Sequence, residues 1–210
     1  MQILRATLRL CAALACAFTL ASCGADANFA DDAAVARASF VSGEPPSVTL
    51  YTVVNNRSNE GAHSSLLLDG RERVIYDPAG TWHHPTAPER FDMHYGMTDQ
   101  MVSFYIDYHA RETFRVIEQK IYVSQATMDL IMARAIAKGA AGKATCANTL
   151  SAILRDVPGF ESIGSTWFPN RLAEDFGALA GVTERTIRDG DPDENSGVLT
   201  VQANGEPGGI

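Results

Sequence analysis

The chain has 210 residues, of which 46% are hydrophobic and 20% are charged, with 17 basic against 25 acidic side chains. This length and composition fit one globular domain with a substantial core, and they exclude a disordered, collagenous or multi-domain chain. The net charge of -8 argues against a nucleic-acid-binding protein, because phosphate binding requires a basic surface. Four cysteines are too few for a disulfide scaffold.

Residues 1–22 have the three parts of a secretory signal peptide. Arg5 and Arg9 make the start basic, residues 10–20 form an uncharged apolar run, and small residues follow. The run is shorter than the roughly 20 apolar residues that a membrane span needs. We therefore predict that residues 1–22 form a signal peptide that is removed. The type predicted is the lipoprotein signal described next, and the alternatives are an ordinary signal peptide and a buried helix.

The end of this segment, Leu20-Ala21-Ser22-Cys23, resembles the bacterial lipoprotein signal. The resemblance implies that Cys23 is acylated and becomes the first residue of the mature chain, so that the protein contacts a membrane through this lipid. Gly24, which stands where an aspartate would retain the protein in the inner membrane, implies sorting to the outer membrane. The predicted location is the bacterial cell envelope, with the domain facing the periplasm.

Removal of the signal peptide leaves one thiol available for chemistry. Cys11 and Cys16 leave with the signal and lipid occupies Cys23, so only Cys146 remains. A single thiol in an oxidising compartment has no internal disulfide partner, and it is therefore either an inert buried residue or a reactive group. The mature chain keeps 15 basic and 25 acidic residues, because only Arg5 and Arg9 are lost, and its net charge is -10.

The mature chain is predicted to consist of a flexible tether over 23–46, one domain over 47–202 and a loose tail over 203–210. Residues 78–100 hold prolines, glycines and histidines and are predicted to be a long loop. β-Rich and alternating segments predict strands, two of them as a hairpin around Gly70 and the last two as another antiparallel pair. The predicted strands are 47–54, 62–69, 72–77, 101–108 and 113–123.

Three helices are predicted in the second half of the domain. Ser124 is a suitable N-cap for the first of them, which Gly139 ends. Thr145 is predicted to cap the second, which stops before Pro158, and Pro169 opens the third. Strands followed by helices indicate an α+β fold in which helices pack against an antiparallel sheet.

Cys146 falls in the first turn of the second helix, where unpaired backbone N–H groups and the helix dipole favour a thiolate. His63, at the start of a strand, is the best candidate for the general base that such a nucleophile needs. Asp77 lies across the predicted hairpin and is expected to orient the His63 ring. The estimated register places His63 opposite residues 76 to 77, and a slip of one residue would turn Asp77 away.

The order of these residues resembles that of the permuted members of the NlpC-type papain-like superfamily, which include lecithin:retinol acyltransferase-like and bacterial YiiX-like proteins. The matching segments are GAHSSLLLDG, RVIYDPAG and ATCANTLSAILR, and the resemblance covers residues 48 to about 155. It implies a permuted papain-like architecture with Cys146 as nucleophile, His63 as base and Asp77 as third member. Asp77 departs from the pattern, because that position is often a histidine or an amide side chain.

This resemblance implies a thiol hydrolase or acyltransferase that acts on an amide or ester bond. In the envelope the accessible bonds belong to peptidoglycan peptides and to lipids. The alternative is a non-catalytic, lipid-anchored binding or structural protein, in which Cys146 packs as a small apolar residue, His63 is a strand-edge histidine and Asp77 bonds its own turn. Hydrogen-bonding distance between the Cys146 sulfur and the His63 ring would favour catalysis.

No metal or other cofactor is predicted. His83, His84 and His94 lie near Glu89 and Asp92, but their spacing matches no metal motif, and a surface loop is the simpler interpretation. The sequence also has no Gly-x-Ser-x-Gly elbow around its serines, no phosphate-binding glycine loop and no dinucleotide fingerprint.

Overall fold

The structure is a computed structural model that describes residues 28–204. The predicted signal peptide, the predicted lipidation site Cys23 and the tail residues 205–210 lie outside the described residues. Between residues 28 and 204 the chain forms an α+β fold with a seven-stranded antiparallel sheet and six helices, as the sequence predicted for the fold class. No helix in this range is both long enough and apolar enough to cross a membrane.

The elements follow one another along the chain with most strands in the first half. The strands are β1 Ser47–Asn55, β2 Gly61–Asp69, β3 Arg73–Tyr76, β4 Glu89–Arg90, β5 Met93–His94, β6 Phe114–Tyr122 and β7 Thr183–Arg188. The helices are α1 Asp32–Ala38, α2 Asp99–His109, α3 Gln125–Lys138, α4 Cys146–Leu154, α5 Pro169–Gly177 and α6 Ser196–Ala203. The strand order across the sheet is β4-β5-β3-β2-β1-β6-β7, so β1 lies inside the sheet, paired with β2 and β6.

Helices cover both faces of the sheet. Leu50 and Leu66 belong to a core shared with α3, α4 and α5, whereas Tyr51 and Leu67 point the other way into a core shared with α2. The first eight residues of β1 are consequently all buried, including its polar ones. A strand that is buried on both faces does not need to alternate polar and apolar side chains.

The prediction of a strand over 101–108 was wrong, because these residues belong to helix α2. Thr98 caps this helix by accepting a hydrogen bond from the Met101 backbone N–H. The aromatic residues of the segment favoured a strand, but its buried side chains recur at the helical spacing i, i+3, i+4 and i+7. They are Met101, Phe104, Tyr105 and Tyr108. The predicted partner of this segment, β6, pairs with β1 and β7 instead.

The starts of the three predicted helices are confirmed at Ser124, Cys146 and Pro169. Ser124 caps α3 with its hydroxyl, and Gly139 ends that helix with a φ of 66°. Thr145 precedes α4, but its hydroxyl donates to the Gly142 carbonyl at 2.6 Å and does not cap the helix. The predicted side-chain cap at Thr145 was therefore wrong, although the helix begins where expected.

Two elements near the C-terminus were not predicted. β7 is an edge strand with mostly exposed polar side chains, so only its backbone pairing with β6 defines it. α6 is fixed by Gln202, which is fully buried, donates to the Phe104 carbonyl and accepts from the Trp82 indole N–H. The predicted loop over 78–100 contains the short strands β4 and β5 and the start of α2.

Residues 28–46, expected from the sequence to be a flexible tether, instead contain structure and pack on the domain. They include helix α1, and Phe29 forms a β-bridge with Arg90. The Phe40 carbonyl accepts the Arg73 N–H, and the Ser42 hydroxyl donates to a buried carboxylate at the far end of β2. The composition of residues 28–46 does not reveal these contacts. Its small and acidic residues suit a flexible tether as well as a segment that packs on the domain.

Candidate active site

The first half of β2 has no strand partner on the side of β3. Of the residues of β2, only 66 to 69 pair with β3, whereas β2 begins at Gly61. Helix α4, which packs against β2, begins beside this gap with Cys146. The Ser64 backbone N–H donates to the Cys146 sulfur. The gap in the sheet therefore gives a helix N-terminus access to the edge of β2.

The environment of Cys146 favours the thiolate. Burial raises the pKa of this thiol, but its hydrogen bond to His63 and the charge of that ring lower it, as do the backbone N–H groups of Ser64 and Ala147, and the net shift is downward. The residue is only 7% exposed, so access to the sulfur is restricted to small groups or requires local opening. Cys146 is thus polarised for nucleophilic chemistry, and it is not sealed among apolar side chains.

His63 forms an ion pair with Asp77, whose Oδ1 lies 2.5 Å from the His63 Nε2. Burial alone would lower the pKa of His63, but the Asp77 carboxylate and the Cys146 sulfur raise it to about 10. Burial alone would raise the pKa of Asp77, but the charge and hydrogen bond of His63 hold it far below its ordinary range. Since Asp77 occupies Nε2, Nδ1 is the ring nitrogen that remains for the Cys146 sulfur.

The register of the β2–β3 hairpin explains why Asp77 and His63 share a face. Leu66 pairs with Tyr76, so continuing this register places Asp77 opposite Ser65 and diagonal to His63. The predicted register was therefore displaced by about two residues. A displacement of two keeps a side chain on the same face of a strand, because the side-chain period is two.

Tyr105 of α2 makes a second hydrogen bond to the same carboxylate oxygen. Its hydroxyl lies 2.9 Å from Asp77 Oδ1 and 2.7 Å from Ser65 Oγ. The Tyr105 hydroxyl is the donor in both contacts, and the charged Asp77 oxygen is the stronger of its two acceptors. Tyr105 thus holds the Asp77 carboxylate, which accepts its hydrogen bond, in the position that orients the His63 ring.

His109 covers the ion pair as a neutral ring. It stacks on His63 with ring centroids 5.8 Å apart and planes within 9°, and its Nδ1–H donates to the Tyr105 carbonyl. Burial lowers the pKa of His109 to about 4, and the His63 charge acts in the same direction against the pull of Asp77. A neutral imidazole at this place limits the access of water to the His63–Asp77 pair without competing for its charge.

Asp92 joins the two loops that carry the site. Its Oδ2 accepts the backbone N–H of Ala79, two residues after Asp77, at 3.0 Å. The same oxygen accepts the N–H of Ala141, in the loop before Cys146, at 2.8 Å. Asp92 is buried and positions both segments, which is a structural role that the sequence did not reveal.

A metal ion fits the site poorly. Among the described residues, one cluster that could hold a metal is His63, Asp77 and His109. The 2.5 Å between His63 Nε2 and Asp77 Oδ1 is shorter than the separation of about 3.4 Å that two ligands at roughly 2.1 Å from a tetrahedral ion adopt. This contact fits a shared proton.

The other cluster between residues 28 and 204 that could hold a metal consists of Asp107, Asp189 and Asp191. Arg111 pairs with Asp107 and Asp191 and so already supplies its positive charge. The histidines of the predicted loop do not converge either. His84 bonds the Gln202 carbonyl, and His94 packs its ring against Trp82 at 5.2 Å.

Two cavities flank the site. The first, of about 290 Å³, is lined by His63 and His109. The second, of about 410 Å³, is lined by Asn28 and by Lys143, three residues before Cys146. Residues 79–81 line both cavities and therefore form the wall between them.

Replacing Tyr105 with phenylalanine is expected to strengthen the remaining His63–Asp77 hydrogen bond while loosening the orientation of the carboxylate. The 2.5 Å contact between His63 Nε2 and Asp77 Oδ1 is expected to give the shared proton a far-downfield NMR resonance. Because two donors that share one oxygen weaken each other, removing the phenol should move this His63 resonance further downfield. The looser carboxylate should slow alkylation of Cys146 by roughly tenfold, as expected for a lost hydrogen bond to a charged group.

Tyr76→Phe is the matched control for this substitution. Tyr76 is equally buried, and its hydroxyl donates to the Gly139 carbonyl at 2.6 Å in the other core. It should lose comparable stability with no change in the His63 resonance or in Cys146 alkylation. An unchanged resonance in Tyr105→Phe would show that the phenol does not position Asp77.

The arrangement can perform nucleophilic catalysis. It joins a thiolate at a helix N-terminus to an imidazolium that a buried carboxylate orients. Sequence reasoning named these three residues, and the structure brings all three together. It missed Tyr105, His109 and Asp92, of which only Asp92 carried a visible signal, as a possible metal ligand.

Comparisons of the chain with protein-family models, curated proteins and solved structures gave no match.

Proposed function

We propose that the protein is a cysteine hydrolase or acyltransferase that acts on an amide or ester bond, with the permuted papain-like architecture of the NlpC type. The observation that carries the proposal is the His63–Asp77 pair, with Oδ1 2.5 Å from Nε2, beside Cys146 at the gap in the sheet, where His63 lowers the pKa of the thiol. Cys146 is the nucleophile, His63 the general base and acid, and Asp77 the residue that orients the ring. The resemblance over residues 48 to about 155 supports the same assignment.

The residues support a two-step reaction. The Cys146 thiolate attacks the carbonyl carbon, and backbone N–H groups at the start of α4 stabilise the oxyanion. The His63 imidazolium gives its proton to the leaving amine or alcohol, which leaves a thioester on Cys146. His63, now neutral, takes a proton from water or another acceptor as that acceptor attacks the thioester, and the thiolate is regenerated.

The proposed location follows from the N-terminal sequence. A lipid on Cys23 would hold the domain at the outer membrane, facing the periplasm, where stem peptides of peptidoglycan offer amides and membrane lipids offer esters. The mature net charge of -10 gives no attraction to an acidic substrate. The net charge therefore does not distinguish peptidoglycan peptides from membrane lipids as substrates.

A second candidate function is a non-catalytic, lipid-anchored binding or structural protein of the envelope. The observation in its favour is the 7% exposure of Cys146, which is typical of an inert packed cysteine. The hydrogen bonds from His63 and from the Ser64 N–H to the sulfur argue against it, because an inert cysteine needs neither.

Alkylation of Cys146 by iodoacetamide tests the proposal. The lowered pKa of Cys146 means that its thiolate forms at a lower pH than that of an ordinary thiol, and the raised pKa of His63, about 10, keeps the imidazolium beside it up to about pH 10. The alkylation rate of the wild type should therefore rise at a lower pH than that of an ordinary thiol and should already exceed the rate of an ordinary thiol at pH 6. In His63→Ala the rate at pH 6 should fall roughly 10- to 100-fold, since an ordinary thiol is mostly protonated there.

His84→Ala is the control, because His84 is also buried but bonds the C-terminal helix instead of the site. It should leave the pH dependence of alkylation unchanged. Mass spectrometry should place the label on Cys146. A wild-type protein that alkylates only at the pH of an ordinary thiol, with no effect of His63→Ala, would support the non-catalytic alternative.

A further inference from the structure

We propose that His94 is a further positioning residue of the site, and that its Nδ1–H holds the Asp77 carboxylate at Oδ2 through one buried water molecule. The assignment rests on the proposed function, because the site that His94 supports is the thiol site. Two buried atoms without hydrogen-bond partners, the register of two paired strands and an aromatic cluster beside them carry it.

The two carboxylate oxygens of Asp77 differ in their partners. Oδ1 accepts hydrogen bonds from His63 Nε2 and from the Tyr105 hydroxyl. Oδ2 is buried and has no hydrogen-bond partner among the residues that the structure describes, in a side chain that is 1% exposed overall. Burial of an unpaired carboxylate oxygen is costly, because the oxygen gives up its hydration for nothing in return. Oδ2 therefore needs a donor.

His94 has a buried nitrogen that lacks a partner. The residue is 2% exposed, and its Nδ1 has no hydrogen bond within the described part of the chain. His84, the other buried imidazole near Trp82, has partners for both of its ring nitrogens. Burial lowers the pKa of His94 against the opposing charge of Asp77 and of two further carboxylates, so the ring is neutral and carries one N–H. That N–H is a donor available to Asp77.

The register of β3 and β5 places the two side chains on one face. His94 pairs with Ile75, and the Asp77 N–H donates to the Asp92 carbonyl at 2.8 Å, which continues the same register. Asp77 lies two residues beyond Ile75, so it is the diagonal neighbour of His94. Diagonal neighbours on one face lie about 7 to 8 Å apart between their Cα atoms, and long side chains reach each other across that distance.

The aromatic cluster behind the site supports this placement. The Trp82 ring lies edge-on to His94 at 5.2 Å and to Tyr105 at 5.5 Å between ring centroids. Tyr105 in turn donates to Asp77. His94 and Asp77 therefore face the same side of the sheet and border the same group of rings.

A water molecule is the bridge that the two atoms require. No direct hydrogen bond joins His94 Nδ1 to Asp77 Oδ2 in the structure, and buried polar groups separated in this way are commonly joined by an ordered water. The water donates to Oδ2 and accepts the Nδ1–H. Trp82 and Asp92 both line the second cavity, which gives solvent a route to this region. A carboxylate held at both oxygens cannot rotate away from His63.

His94→Leu tests the role of the donor. It removes the N–H and keeps an apolar side chain against Trp82, so alkylation of Cys146 by iodoacetamide at pH 6 should slow by about fivefold, as expected for one lost hydrogen bond. His94→Gln keeps a side-chain N–H donor and should stay within about twofold of wild type. Mass spectrometry of the full-length protein measures both rates.

His84→Leu is the matched control. Its ring also stacks on Trp82, with centroids 6.3 Å apart and planes within 15°, but it bonds the Gln202 carbonyl and not the site. It should leave alkylation at the wild-type rate. Thermal unfolding of the His84 and His94 variants shows whether their stability losses are comparable.

Two further measurements separate positioning from packing. In an Asp77→Asn background, His94→Leu should not slow alkylation further, because it acts through the carboxylate. The same fivefold slowing in both backgrounds would assign His94 to packing alone and overturn the proposal. In the ¹⁵N spectrum of the wild type, His94 Nδ1 should be protonated and its proton should show a cross peak to water. An unprotonated Nδ1 would overturn the proposal as well.

The outcomes distinguish this proposal from the proposed function. Wild-type alkylation rates in both His94 variants would remove His94 from the site and leave the thiol enzyme intact. If the wild type alkylates as an ordinary thiol and His63→Ala changes nothing, the proposed function fails. The ¹⁵N spectrum of the wild type then still decides whether His94 and Asp77 share a water molecule.

Discussion

Replacing Asp77 with asparagine is expected to slow turnover by about 10²- to 10⁴-fold and Cys146 alkylation at pH 6 by roughly 10- to 100-fold. The amide keeps the shape of the carboxylate but removes the negative charge that raises the pKa of His63 to about 10. The pKa of His63 then falls, because its burial is no longer compensated, and the resting thiolate–imidazolium pair is lost. The pH dependence of alkylation, followed by mass spectrometry, measures this change.

Asp69→Asn is the control for the loss of a buried carboxylate from the same hairpin. Asp69 lies at the other end of β2 and pairs with Arg73 at 2.9 Å. Both variants should be less stable than wild type, but only Asp77→Asn should lose the reactive thiolate. A parallel loss of reactivity in both would mean that general destabilisation, and not the charge of Asp77, explains the effect.

Gly80→Ala is expected to disable the site without replacing any of the three candidate catalytic residues. A Cβ at Gly80 would lie 1.8 Å from Asp77 Oδ2 and 2.2 Å from its Cγ, so the carboxylate or the turn must move. A displacement of about 1 Å in a catalytic group costs roughly 10²-fold in rate. We expect a loss of this size in Cys146 alkylation at pH 6, with loss of the downfield His63 resonance.

Gly190→Ala is the matched substitution in open space, because no atom lies within 4 Å of a Cβ there. It should leave both the resonance and the alkylation rate at their wild-type values. If Gly80→Ala retains the downfield resonance at its original position, the turn has absorbed the methyl group and Asp77 does not depend on this glycine.

The candidate catalytic residues were predictable because each lies in a local pattern. Cys146 follows from the start of a helix, His63 from the start of a strand, and Asp77 from the hairpin that follows it. The predicted register was displaced by about two residues, but Asp77 still lies on the predicted face of the hairpin, since a displacement of two residues preserves the side-chain direction. Local spacing was therefore sufficient to bring these three residues together.

The residues that support the site were not predictable, because they depend on α2. Tyr105 and His109 lie in a segment whose aromatic composition favoured a strand, and a strand there would have placed them elsewhere. The burial of helix and sheet against each other overrode that local preference. Asp92 was missed for a different reason, because its partners are backbone N–H groups that belong to two distant loops.

The position of the site at the gap between β2 and β3 determines when Cys146 becomes reactive during folding. The α4 helix that carries Cys146 packs in one core and the α2 helix that carries Tyr105 in the other, so the series of bonds closes only when both layers are assembled. A chain whose two layers have not yet packed therefore carries an ordinary, mostly protonated thiol. The reactive form of Cys146 therefore requires the complete fold, with both cores packed on the sheet.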